Sequence, residues 1–233
     1  MCAAFRHDMT EQNTTVTDGL GTPLPFLRVP EPYPNRSLAE VFAVARFLQD
    51  FAGPWWIGGG WALDIWAGVP SREHEDIEIC VLRSDQEALQ AYCADWQFLT
   101  PVNDQWAPMA DGEQLEFPRT MWQLRRTPET KALDEMPPEF EFILNDVTNG
   151  EWLYQYNRDI RLPIDRITSM SALGLLVTAP EIVLLHKGWW THRQKDDHDF
   201  QRVKHLLNTT QRAWLHEQLQ AHQPDNPWLA ALM

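Results

Sequence analysis

A chain of 233 residues, 44% hydrophobic and 22% charged, is long enough to bury a sizeable core as one large domain or two small ones. Its net charge of −14 speaks against long RNA or DNA as a partner, because such binding rests on neutralising phosphates, and leaves cationic small molecules better suited. Three cysteines, Cys2, Cys80 and Cys93, show no paired spacing; this predicts free thiols in a reducing compartment, with Cys80 and Cys93 as small core residues.

Residues 1 to 35 are rich in Thr, Asn and Pro, and Pro23, Pro25, Pro30, Pro32 and Pro34 forbid a helix, so a partly disordered arm is expected there. The first residues carry no apolar run with a cleavage-like site, and nothing reaches the length of a membrane span, which makes the cytoplasm the default location. Ser37 then caps an amphipathic helix, with Glu40 in the capping-box position and Gly53-Pro54 as its stop.

Trp55, Trp56 and Ile57 form a short apolar segment that ends in Gly58-Gly59-Gly60. Ala62, Leu63, Ile65 and Trp66 follow with helical spacing. Backbone N–H groups gathered at such a helix start stabilise an anion, so the glycines read as a phosphate seat. The alternative is a plain strand-to-helix turn, which glycine serves in any fold. No Gly-Lys-Ser/Thr follows, and Leu63 stands where a dinucleotide fingerprint needs its last glycine.

After the break at Gly68-Val69-Pro70, the run Asp76-Ile77-Glu78-Ile79-Cys80-Val81 reads as a strand entering a core. Period-two geometry puts Asp76 and Glu78 on one face. Two like charges so close call for a cation between them, and a hard divalent ion such as magnesium takes oxygen ligands of this kind. A solvated strand face is the competing reading.

Ser84 to about Ala94 reads as a second helix, capped by Ser84 with Glu87 in the box position. Short strands are expected over Trp96 to Thr100 and Gln105 to Met109, around the turn Pro101-Val102-Asn103-Asp104, and over Met121 to Arg126 within an irregular stretch, 111 to 138. Phe140 to Asn145 resumes a strand with Glu141 as a charge among apolar neighbours and Glu139 on the same face. Asn149-Gly150 signals a two-residue hairpin. Extended pieces near Ile164 to Ile167 and Leu173 to Val177 precede a helical pattern from Pro180 onward, with Phe200, Val203, Leu206 and Leu207 as one apolar stripe and a last helix from about Thr210 to Ala221. The tail Trp228 to Leu232 is expected to pack back onto the helices. Of twelve tryptophans, Trp122, Trp189 and Trp190 are those expected to face a cleft.

The blocks Gly59-Gly60-Trp61-Ala62-Leu63-Asp64, Gly68, Arg72, His74 and Asp76-Ile77-Glu78 resemble the N-terminal signature of the nucleotidyltransferase superfamily, in particular its aminoglycoside and lincosamide adenylyltransferase-like proteins. The likeness continues through Phe140 to Asn145, Ala179 to Lys187 and Lys195 to Phe200, in order. It implies an α+β fold: a nucleotidyltransferase-like mixed sheet with flanking helices over residues 36–167, followed by a small C-terminal helical domain over 168–233. It also implies a magnesium-dependent transfer of a nucleoside monophosphate, AMP from ATP, onto a hydroxyl of a small molecule, and an aminoglycoside-like polycation would suit the acidic balance. Asp76 and Glu78 would hold the metal, Glu141 rather than Glu139 would be the third carboxylate, and Gly59, Gly60, Trp61, Arg72, Lys187 and Lys195 would hold the nucleotide. Glu78 stands where many members have Asp, keeping the charge and adding a methylene. Two other readings stay open: a nucleotide-binding regulatory module without turnover, and a toxin-type enzyme that modifies a protein or tRNA.

Overall fold

The computed structural model describes residues 36–103, 105–189 and 193–233. The N-terminal arm, the Asp104 turn position and Trp190 therefore lie outside the described residues. Ser37 opens helix α1 (Leu38–Phe47) with the reciprocal capping box expected: Glu40 N–H donates to Ser37 Oγ at 3.2 Å, and Ser37 N–H donates to Glu40 Oε2 at 2.6 Å. Strand β1 (Trp55–Ile57) runs through Gly58 into helix α2 (Gly59–Ala67), which Gly68 ends in the left-handed conformation. Then come β2 (Glu78–Leu82), α3 (Gln86–Tyr92), β3 (Trp96–Val102), β4 (Gln105–Pro108), β5 (Met121–Arg126) and β6 (Glu139–Thr148).

The Asn149-Gly150 turn, with both residues at positive φ, joins β6 to β7 (Glu151–Leu153), as its sequence predicts. Strands β8 (Arg161–Pro163), β9 (Thr168–Met170) and β10 (Leu176–Thr178) follow. Helices α4 (Pro180–Gly188), α5 (Gln194–Val203), α6 (Thr209–His222) and α7 (Leu229–Leu232) complete the chain. Pro180 takes the first helical position, where its missing N–H costs nothing.

Among the described residues the strands form one mixed sheet in the order β4-β3-β5-β6-β2-β1-β10-β9, with β7 and β8 extending from β6. β2 runs parallel to β6, and β1 parallel to β10; the other pairings are antiparallel. Along β6 the side chains alternate. Phe140, Phe142 and Leu144 are buried, and Phe140 packs edge-on against Phe47 of α1 and Trp96 of β3. Glu139, Glu141, Ile143 and Asn145 take the opposite face. One face of β6 is thus core, and the other carries its half-buried and polar side chains.

Several expectations change. β9 and β10 join the central sheet, β10 pairing with β1 at Ile57↔Val177, so the sheet extends past residue 167 and the helical part begins at Pro180. Residues Ile164–Arg166 form a 3₁₀ turn rather than a strand. α3 starts at Gln86 behind a short 3₁₀ turn, so Ser84 does not cap it; its hydroxyl turns to Asp85. β2 begins at Glu78, although Ile77 still accepts a hydrogen bond from Glu141 N–H at 2.9 Å. Leu206 is largely exposed, whereas Trp228 stacks on Phe200 with ring centroids 4.3 Å apart, which seats the tail.

Candidate active site at the glycine loop

Residues two apart on parallel neighbours decide the geometry of the acids. Glu78 on β2 and Glu141 on β6 are register partners, Asp76 lies two residues upstream of Glu78, and Gln123 on β5 is the partner of Glu141 on its other side. The sheet therefore brings Glu78 and Glu141 together on one face, although 62 intervening residues separate them in sequence. Glu139 differs: Arg36 lies 3.5 Å and Arg125 3.1 Å from its carboxylate. Among the described residues, Asp76, Glu78 and Glu141 have no ion-pair partner.

The crowding shows in their proton affinities. Burial, then the charge of Asp76, raises Glu78 to about 7, although Lys187, Lys195 and Arg193 pull it back. Glu141 is raised to about 8 by burial, Asp76, Glu78 and Glu139. Such oxygen-only donors at close quarters suit a hard divalent cation. Among the described residues, however, no three metal-ligating side chains gather into a finished cage. What the chain offers is a donor set.

The glycine loop lies directly against this set. Gly59 has φ +55, and a Cβ there would sit 2.6 Å from Glu78 Cδ and closer still to Oε2. A Cβ at Gly60 would meet the Arg72 guanidinium and lie 2.6 Å from His74 Cε1. Gly58 N–H donates to the Glu78 carbonyl at 2.7 Å. The close approach of Glu78, Arg72 and His74, together with the positive φ of Gly59, is the reason for these two glycines.

His74 serves the framework. It is 1% exposed, its Nε2 is 2.7 Å from Asp64 Oδ2, and it stacks on Trp61 with ring centroids 4.3 Å apart. Asp64 also accepts from Ser71 N–H at 2.8 Å and Ser71 Oγ at 2.7 Å, which pins the returning loop to α2. Trp61 is 3% exposed, so its side chain is a packing residue and presents no surface to a nucleotide. Trp122 is wholly buried on the core face of β5, which corrects the expectation that it faces a cleft. Trp189, partly buried, packs on Tyr154 and Tyr156.

Cations face the acids from the helical part. Lys187 on α4 pairs with Asp196 at 3.0 Å and Asp199 at 2.8 Å, and Arg72 pairs with Asp199. Lys195 is more exposed and lies 3.3 Å from Glu75. Arg193, which pairs with Asp196 at 2.6 Å, was not singled out in the sequence; it stands just before a helix start, and no pattern marks it.

Beyond Glu78 the same sheet face runs into a cavity of about 530 Å³ between the strands and α4. Gly59, Glu78, Lys187 and Arg193 line it, as do Trp152, Tyr156 and His186. His186 is pushed down to about 4 by burial and by Lys187, so its ring is neutral. None of these aromatic residues stood out in the sequence, since each sits in ordinary apolar context. Cys80, also lining the cavity, is raised to about 12 by burial, and Cys80 and Cys93 are both free, buried thiols as expected.

Residues 40–108 match the family model of aminoglycoside-2''-adenylyltransferases. The chain resembles the aminoglycoside and lincosamide adenylyltransferases. The matched segment runs from α1 to β4 and so contains the glycine loop, Asp76 and Glu78. A lincosamide antibiotic adenylyltransferase, LnuA, solved with lincomycin bound, is similar in fold: TM-score 0.52 at 14% identity, covering 74% of this chain and 99% of that one. ANT(2'')-Ia in complex with adenylyl-2''-tobramycin gives a TM-score of 0.50 at 13% identity, covering 79% of this chain and 95% of that one. A search of curated protein sequences finds no match. The adenylyltransferase-like chain thus has the α+β fold expected. Among the described residues, no helix is long and apolar enough to cross a membrane.

Proposed function

We propose that this chain is a magnesium-dependent nucleotidyltransferase that transfers AMP from ATP to a hydroxyl of a small molecule and releases pyrophosphate. The observation that carries this reading is the placement of Glu78 and Glu141 as register partners beneath a glycine-opened helix start, with Lys187 and Arg193 beside them. Asp76, Glu78 and Glu141 would hold the metal, whose charge stabilises the attacking and leaving oxygens.

The protein's part is positioning and proton transfer. The acceptor oxygen forms a bond to the α-phosphorus as the bond from that phosphorus to the β-phosphate bridge breaks, and the hydroxyl proton passes to a carboxylate. Glu141 suits that task, because it stands beside Glu78 on the same sheet face and, unlike Glu139, has no arginine partner among the described residues. The amides of Gly59 and Gly60, together with Arg72, Lys187 and Lys195, would receive the triphosphate and then the departing pyrophosphate.

The acceptor class follows from similarity and charge. The related structures hold lincomycin and an adenylylated tobramycin, and a net charge of −14 favours a cationic, hydroxyl-rich acceptor of that antibiotic kind. An enzyme of this sort acts in the cytoplasm and confers resistance. The test is pyrophosphate release across nucleotides, aminoglycosides and lincosamides, with Asp76→Ala beside the wild type. Signal from the wild type alone supports the assignment; equal signal from both ends it.

A further inference from the structure

Two carboxylates on α5, Asp196 (1% exposed) and Asp199 (3%), hold three cations between them. Asp199 Oδ1 accepts from Arg72 Nε at 2.9 Å, and its Oδ2 accepts from Arg72 Nη2 at 3.0 Å and lies 2.8 Å from Lys187 Nζ. Asp196 Oδ1 accepts from the same Lys187 Nζ at 3.0 Å, and its Oδ2 accepts from Arg193 Nε at 2.6 Å. The outcome is an alternating chain, Arg72, Asp199, Lys187, Asp196, Arg193, with one positive charge in excess. It joins three separate pieces of backbone: the loop after α2, helix α4 and the start of α5.

Asp199 is the joint of this chain. Its Oδ2 is shared by Arg72 and Lys187, so the two cationic nitrogens cannot part by more than the sum of those two short distances. The donors that remain point to a use. Arg72 has five N–H groups, of which two go to Asp199 and one to the Glu73 carbonyl at 2.8 Å; among the described residues, two are left. Lys187 has three, two of them taken by Asp196 and Asp199, and it lines the cavity beside Glu78 and Gly59. The Arg72 fork also crosses Gly60, where any side chain would strike it.

Resting on the nucleotidyltransferase reading above, we propose that Asp199 is a positioning residue that fixes Arg72 and Lys187 as one rigid cation pair for the triphosphate tail. A rival role exists for such a carboxylate: a resting counter-ion that the phosphates displace. Its burial argues against displacement, because a departing Asp199 would have to open the contact between α5 and the loop. Its charge state agrees. Burial works to raise its pKa, but hydrogen bonds from Arg72 and the charge of Lys187 outweigh that and hold the carboxyl below the ordinary range. Ordering two long, flexible cations during folding removes that entropy cost from nucleotide binding.

The two roles predict opposite signs. Removing a negative counter-ion next to an anion site strengthens anion binding; removing a positioner weakens it. The probe is inorganic tripolyphosphate, titrated calorimetrically into the full chain, with steady-state kinetics alongside. Asp199→Asn should weaken tripolyphosphate binding and raise KM for ATP by about tenfold or more, while KM for the acceptor stays within about twofold. Lys187→Met should cost much less in the Asp199→Asn background than in the wild type, because the two act as a unit. Equal or tighter tripolyphosphate binding by Asp199→Asn, with the wild type binding normally, overturns this inference and leaves the nucleotide reading standing. A wild type that binds neither tripolyphosphate nor ATP overturns both. Should Asp199→Asn unfold, Asp199→Glu keeps the charge and shifts the joint by a methylene: weakened tripolyphosphate binding supports the inference, and unchanged binding, as a mere counter-ion would give, overturns it.

Discussion

Replacing Gly59 by alanine tests the contact on which the site is built. Gly59 and Gly68 both adopt positive φ, +55 and +80, but a Cβ at Gly68 meets nothing within 4 Å, whereas one at Gly59 lies 2.6 Å from Glu78 Cδ. Both substitutions carry the left-handed strain of an L residue, about 1–2 kcal/mol, part of which is offset by the lower entropy of the unfolded alanine chain. Gly68→Ala should therefore lose about 1 kcal/mol of stability and keep its activity. Gly59→Ala must in addition push the Glu78 carboxylate away by about 2 Å, because its Oε2 stands nearer still than Cδ and ordinary contact begins at 3.4 Å. A displacement of even about 1 Å at a reacting centre costs on the order of 100-fold in rate, so the loss should be at least about 2.7 kcal/mol of transition-state stabilisation. Urea unfolding reads the first term, and pyrophosphate release reads the second. If Gly59→Ala turns over within twofold of Gly68→Ala, the glycine does not seat Glu78 and the reasoning is refuted.

Glu141→Gln should abolish pyrophosphate release, while Glu139→Gln, whose arginine pairs with Arg36 and Arg125 are partly solvated, should cost at most about 1 kcal/mol of stability and little activity; comparable losses from both would remove Glu141 from its special place. Because burial and Asp76 raise Glu78 to about 7, and burial with its neighbouring acids raises Glu141 to about 8, the folded chain keeps protons that the unfolded chain releases near 4.5. Their stabilisation is present below that value and is lost as pH rises through 7 to 8, so the urea midpoint measured in EDTA should fall between pH 5 and pH 8, and magnesium should lessen the fall; a flat profile in EDTA would contradict the crowding of these acids. Ser37→Ala removes one half of the α1 capping box and should lower stability by about 1 kcal/mol without changing kcat, as thermal melts and initial rates would show.

The parts of this protein legible in the sequence are those governed by local chemistry. The Ser37/Glu40 box, the Asn149-Gly150 turn, Pro180 at a helix start and the apolar alternation of Phe140 to Leu144 each rest on a few adjacent residues, and each forms as read. The helix expected from Ser84 forms from Gln86, but its cap does not: the capping pattern is present, yet the chain leaves β2 through a 3₁₀ turn in which Arg83 is drawn to Asp146 at 2.7 Å and to the carbonyls of Leu115 and Arg119. Long-range contact overrode propensity.

What the tertiary structure alone decided are the partners of charged and aromatic side chains. The difference between Glu139 and Glu141 is invisible along one strand; it appears when Arg36 and Arg125 neutralise the first and β2 sets Glu78 beside the second. The buried state of Trp61 and Trp122, the cavity built by Trp152, Tyr156 and His186, and the bridging of Arg72 to Lys187 by Asp199 all join residues from distant segments. Periodicity assigns a side chain to a face, because dihedral geometry is local. It cannot say what lies against that face, because burial and charge pairing depend on which strands and helices the folded chain brings together.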